Sequence, residues 1–158
     1  MTARAVPLVV ALFVVACSSA PGEPSSGVAV NGPASPSAAP TLAVSVEEAS
    51  EAPAGAIEIL LTFGPKFEPE EATADAGTVV FFLRNDPGDG PPALHNFLLG
   101  RTMDSPLAVS PTLATNEAVT FTVEGLMPGT YTYWCTVPSP DGAPHAQYGM
   151  VGTLTVRQ

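Results

Sequence analysis

Histidine and cysteine are scarce in this chain: its 158 residues contain two of each. His95 and His145 are too few for the histidine-rich catalytic copper of a multicopper oxidase or a nitrite reductase, which excludes both. Cys17 lies near the N-terminus and Cys135 far from it, so the folded part carries one thiol and not the two that a binuclear copper site of a terminal oxidase subunit requires. Basic side chains are also few, five against fifteen acidic ones for a net charge of −10, which leaves little cationic surface for nucleic acid. The apolar run Ala5 to Ala16 falls short of the roughly 20 residues that a transmembrane helix needs. There is no internal repeat. Proline and glycine are plentiful instead, with 18 and 14 residues, and their distribution divides the chain.

Arg4 followed by the run Ala5 to Ala16 has the character of a secretory signal, and the run ends in Val14-Val15-Ala16-Cys17-Ser18. This segment resembles a bacterial lipobox, which implies that residues 1–16 are removed as a signal peptide and that Cys17 becomes a lipidated N-terminus. The protein is then expected to be exported and lipid-anchored, on the outer face of the cell membrane or in the periplasm. Acylation of Cys17 would leave Cys135 without a disulfide partner. An unpaired thiol in an oxidising compartment is a liability unless something such as a metal ion occupies it; an inert buried cysteine is the plain alternative.

Residues 17–55 are rich in Pro, Ser, Ala and Gly, contain no basic residue and lack a sustained period, so they are expected to form a disordered tether. Within them, Thr41 to Val46 alternates briefly and offers at most an edge strand. From residue 56 the pattern changes to short apolar runs separated by Gly, Pro, Asn and Asp, the mark of an all-β domain. Residues 56–158 suffice for a single sandwich. Strands are expected at Ile57 to Leu61, Glu71 to Ala74, Thr78 to Asn85, His95 to Leu99, Val119 to Val123, Gly129 to Cys135 and Met150 to Val156. Pro106 and Pro111 exclude a long helix between Arg101 and Asn116, which reads as an irregular loop with a helical turn. The expected architecture is a Greek-key β-sandwich with a parallel component.

Strand alternation puts Tyr131, Tyr133 and Cys135 on one face and Thr130, Thr132 and Trp134 on the other. The thiol then faces the core and Trp134 points outward, where it is a surface-packing residue or a second exit for an electron. Leu126-Met-Pro128-Gly129-Thr-Tyr131 resembles the corner of Greek-key sandwiches in which a tyrosine hydroxyl bonds back to the preceding connection. Cys135, His145 and Met150 fall within sixteen residues, and His95 comes from another strand-like segment. Two imidazoles, a thiolate and a weak thioether are the ligand set of a blue-copper electron-transfer site. Four protein ligands leave no open position for a substrate, so an enzyme or a small-molecule substrate is not expected.

Residues 56–156 as a whole resemble the cupredoxins of the plastocyanin and azurin type. The resemblance rests on Lys66-Phe67-Glu-Pro69 before Ala76-Gly77-Thr78-Val, on His95-Asn96-Phe97, and on Tyr131-x-Tyr133-x-Cys135 with His145-x4-Met150-x-Gly152. It implies one type 1 copper ion held by His95, Cys135 and His145, with Met150 as the weak axial ligand. Asn96 would brace the loop and bring a donor near the Cys135 sulfur. The nine residues between Cys135 and His145 are more than plastocyanins or azurins have, and Pro138, Pro140 and Pro144 would stiffen them. Together with Ala143 and Ala146 they would form an apolar docking patch around His145.

The function implied is one-electron transfer between redox partners by a membrane-tethered protein. Residues 56–158 hold eleven acidic and four basic side chains, which suits a basic cytochrome or an oxidase as partner. Two other readings remain open on the residues alone: copper storage, resistance or delivery to an oxidase, and a metal-free interaction module.

Overall fold

Alternating apolar residues with turn-rich punctuation build two facing sheets. The computed structural model describes residues 42–158; the expected signal peptide, Cys17 and the tether up to residue 41 lie outside the described residues. One sheet has the order β1-β8-β5-β2-β3, from β1 (Val44–Glu48), β2 (Ile57–Thr62), β3 (Lys66–Glu68), β5 (Gly77–Asn85) and β8 (Ala118–Leu126). The other has the order β4-β10-β9-β6-β7, from β4 (Glu71–Asp75), β6 (Leu98–Thr102), β7 (Ser105–Val109), β9 (Gly129–Trp134) and β10 (Val151–Arg157). The parallel component consists of one pair in each sheet, β2 with β5 and β4 with β10. Among the described residues no helix is long and apolar enough to cross a membrane.

The strict period of β8 makes the design plain: Val119, Phe121 and Val123 are buried and face Leu83, Phe81 and Val79 in register on β5. From the second sheet Leu99, Tyr131, Tyr133, Leu154 and Val156 close over them, and Cys135 and Met150 belong to the same apolar cluster. Phe97 lies at its centre, stacked on Tyr133 with ring centroids 5.2 Å apart and edge-on to Phe67 at 5.8 Å. Such aromatic pairs add to the area they bury. The Tyr131 hydroxyl donates to the Met127 carbonyl at 2.8 Å, the corner bond expected from the sequence, and accepts from Arg101 at 3.1 Å.

Four expectations are corrected. The segment assigned to the tether includes β1, which pairs antiparallel with β8 from Val44↔Val123 to Glu48↔Val119. Every residue of β1 is exposed, so backbone pairing holds it and its sequence shows only a faint hydrophobic period. The loop expected from Arg101 to Asn116 begins instead with a hairpin of β6 and β7. Pro106 is tolerated because β7 is the edge strand, where a missing N–H breaks no ladder. His95 precedes β6 and meets Leu113 in an isolated bridge rather than starting a strand. Trp134 is only 3% exposed, since the central position of β9 flanks it with Leu98 and Val151 in register.

Candidate metal centre

Three segments meet at one end of the sandwich, and each is pinned by backbone hydrogen bonds. His95 donates its N–H to the Leu113 carbonyl at 3.1 Å and accepts from the Leu113 N–H at 2.7 Å. Cys135, one residue past β9, donates to the Met150 carbonyl at 3.2 Å, and its own carbonyl accepts from Ala146 at 3.0 Å. His145 donates to the Val137 carbonyl at 2.9 Å and accepts from the Met150 N–H at 3.1 Å. Every expected ligand residue is thus tied to another ligand segment or to the bridge opposite.

The side chains converge. His95 Nδ1 lies 3.1 Å from His145 Nδ1, and the Cys135 sulfur lies 4.0 Å and 3.6 Å from those two nitrogens. The circumcentre of a triangle with these sides is about 2.1 Å from each corner, within the roughly 2.0–2.3 Å of zinc bonds to imidazole and thiolate. Met150 is wholly buried, with its main chain bonded to both Cys135 and His145.

The electrostatics suit neutral imidazoles and a protected sulfur. Burial, together with the neighbouring His145, lowers the His95 pKa to about 4. Burial also holds His145 below its ordinary value. The Cys135 thiol is pushed up by burial, opposed by the backbone N–H groups of Asn96 and Val137. The Asn96 N–H lies 3.5 Å from the sulfur. Its side chain spans to the chain after Cys135, donating to Thr136 Oγ1 at 2.9 Å and accepting from the Thr136 N–H at 2.8 Å. Asn96 therefore lies beside the sulfur and braces two segments. Thr136 and Val137 carried no sequence signal, because their contribution is mostly backbone.

The long loop before His145 is itself a small hairpin. Pro138 and Pro144 face each other as a bridge, Ser139 donates to Ala143 at 2.8 Å, and Gly142 donates to Ser139 at 2.8 Å. Gly142 has φ 88°, a left-handed conformation that glycine adopts without strain. Asp141 accepts from the Ala143 N–H at 3.2 Å and from the Tyr148 hydroxyl. Because the His145–Val137 bond closes this hairpin at its base, only Thr136 separates Cys135 from the closing pair. The extra residues project outward and leave His145 facing His95 and the sulfur.

Outside the two imidazoles the hairpin forms one wall of a hollow of about 350 Å³. Phe63, Pro91, Leu94 and Pro138 line it, and both Phe63 and Leu94 are about half exposed.

A curated relative, plastocyanin from Prochlorothrix hollandica, is 34% identical over 115 residues, covering 68% of this chain and 79% of its own length. The chain is a cupredoxin. Solved structures agree in fold. Auracyanin from Roseiflexus castenholzii superposes with a TM-score of 0.56 at 21% identity, over 68% of this cupredoxin and 100% of its own chain. Auracyanin A, described as a "blue" copper protein from Chloroflexus aurantiacus, gives 0.50 at 25% identity over 65% and 98%. No protein-family model matches the chain. A soft thiolate, two imidazoles around one point and an adjacent buried methionine fit one type 1 copper ion.

Proposed function

We propose that this cupredoxin is a single-copper electron carrier working outside the cytoplasm, with His95, Cys135 and His145 as strong ligands and Met150 as the weak one. The observation that carries the reading is the common point about 2.1 Å from three donor atoms, a distance in the roughly 2.0–2.3 Å range of such metal bonds. When bound, copper supplies a one-electron couple between Cu(I) and Cu(II).

The protein's part is to keep the ligands where either oxidation state accepts them. The backbone bonds between Cys135, His145 and Met150 resist movement of the ligand loop, and the Asn96–Thr136 clasp holds the sulfur-bearing chain against the His95 segment. N–H groups directed at the sulfur favour its thiolate and tune the potential of a bound metal. Burial keeps the imidazoles unprotonated and ready to coordinate at neutral pH.

His145, 8% exposed, lines the apolar hollow, and a docked partner would bring its own redox group to that side. The acidic balance of the domain suits a basic redox protein, a cytochrome or an oxidase, whose encounter is steered by charge. A lipid on Cys17 and a tether running to the first strand would keep the domain within reach of the membrane. Residues 42–158 make up the folded part in this reading.

The test is the visible spectrum and voltammetry of the copper-loaded protein. An intense thiolate-to-copper band with reversible one-electron cycling is expected, and Cys135→Ser abolishes the band. Colour that survives this substitution refutes the ligand assignment. Cys17→Ala is expected to release the protein from the membrane fraction, and its retention there refutes the anchor. The association rate with the true partner is expected to fall with ionic strength, and a flat profile removes the steering.

A further inference from the structure

The chain reaches His95 through Asp86 to Leu94, a stretch outside any strand in which Pro87, Pro91 and Pro92 offer no N–H. The isolated bridge to Leu113 is a short hold for a residue at the centre of the site. Behind that bridge, at the last position of β5, lies Asn85, with no exposed surface. Its side-chain nitrogen donates one hydrogen to the Ala93 carbonyl at 2.8 Å and the other to the Leu113 carbonyl at 2.9 Å. The same Leu113 carbonyl accepts the His95 N–H. One planar amide thus sets the spacing between the chain two residues before His95 and the chain that pairs with it.

The backbone of Asn85 extends this hold. Its N–H donates to the Glu117 carbonyl at 2.9 Å, and its carbonyl accepts from the Asn116 N–H at 2.8 Å, so the end of β5 is locked to the start of β8. The amide oxygen, by contrast, is buried without a partner. Two donated hydrogens are therefore what the site takes from this side chain, and a buried oxygen without an acceptor's role is a cost accepted in return. Leucine matches the size but donates nothing; aspartate matches the shape but would turn an acceptor toward two carbonyls.

We infer that Asn85 is a positioning residue for the copper centre: its amide nitrogen fixes His95 by bonding the carbonyls of Ala93 and Leu113. Its side-chain hydrogen bonds go to main-chain carbonyls and to no ligand atom, so it acts through the bridge. The inference rests on the proposed role of His95 as a ligand. Ala93 and Leu113 keep their other partners, Thr115 Oγ1 at 3.3 Å and the His95 N–H, so the sandwich is expected to survive loss of the amide while His95 gains freedom.

The test compares Asn85→Leu and Asn85→Asp with wild type, in the full chain with and without copper. Tyr131→Phe serves as a control that loses a partly buried bond toward the other end of β9. In metal-free protein, amide exchange at His95 and Leu113 is expected to quicken about tenfold or more, as loss of two hydrogen bonds implies, while exchange within β9 stays near wild type. In copper-loaded protein, release to a Cu(I) chelator is expected to quicken by a similar factor and the midpoint potential to move, with neither change in Tyr131→Phe. Unchanged exchange at His95 and Leu113, or equal changes in the control, overturns the inference. If Asn85→Leu does not fold, Asn85→Ser, which cannot overfill the space, carries the same expectations. Wild-type protein that shows no thiolate–copper band refutes the ligand assignment, and the metal-free exchange then still decides the role of Asn85 in holding the His95 segment.

Discussion

Gly152, two residues beyond Met150, is where one added methyl group should do the most damage. A Cβ built there would lie 2.1 Å and 2.2 Å from ring atoms of Tyr133 and 2.6 Å from its hydroxyl oxygen, far inside contact distance. The ring has nowhere to go. It is wholly buried, stacked on Phe97 and edge-on to Phe67, with both centroids 5.2 Å away, and its hydroxyl donates to the Pro69 carbonyl at 2.7 Å. The backbone of β10 must yield instead, and β10 begins one residue after Met150.

Overpacking of a close-packed core costs typically about 1–3 kcal/mol, and the rigidity of this neighbour places Gly152→Ala at the upper end. For a domain of this size a loss of about 3 kcal/mol lowers Tm by roughly 10–20 °C. Thermal melts of metal-free Gly152→Ala, Tyr133→Leu and the double variant form a cycle. The alanine should cost at least about 1 kcal/mol less when the ring is absent, as expected for residues in contact. In copper-loaded protein the visible band should also shift, through displacement of the Met150 segment. A loss below about 0.5 kcal/mol, the range of a harmless surface change, or an equal loss in both backgrounds, would refute the contact argument.

Other consequences are open to measurement. The unfolded chain binds a proton at His95 more readily than the folded one, because the folded pKa is about 4 against an ordinary 6.5; stability of the metal-free protein should therefore rise with pH between those values. Unfolding free energies from urea titrations at pH 7 and pH 5 should differ by roughly 2 kcal/mol from this residue, and His145, shifted the same way, adds to it. A metal-free protein equally stable at both values contradicts the burial of neutral imidazoles. Tyr148→Phe removes a hydroxyl that holds Asp141, so amide exchange at Gly142 and Ala143 should quicken while global stability changes little; unchanged exchange would show that the clasp does not hold the hairpin. Asn96→Ala keeps the N–H near the sulfur but cuts both bonds to Thr136, so copper should still bind with its thiolate band while its release quickens several-fold, as loss of two partly exposed hydrogen bonds implies. Release at the wild-type rate would refute the bracing role.

Much of this protein follows from its sequence. Alternation along Val119, Phe121 and Val123 specifies a half-buried strand, and the same period along Tyr131, Tyr133 and Cys135 turns the thiol inward, because in a pleated chain side-chain direction depends on position alone. The scarcity of histidine and cysteine leaves one set of soft donors, and the corner tyrosine follows from local spacing. Tertiary structure decided what depends on neighbours distant in the chain. β1 forms although each of its residues is exposed, since its bonds come from the backbone of β8. Trp134 is buried because of the strands that happen to flank it, and Pro106 is tolerated because its strand lies at an edge. The fit of His145 was hidden for the same reason: nine intervening residues look like slack until the Val137 carbonyl closes a hairpin beneath them. Asn85, read only as the end of a strand, holds His95 through carbonyls 8 and 28 residues away. A period in the sequence records which face a side chain takes, but not which distant main-chain group it will meet.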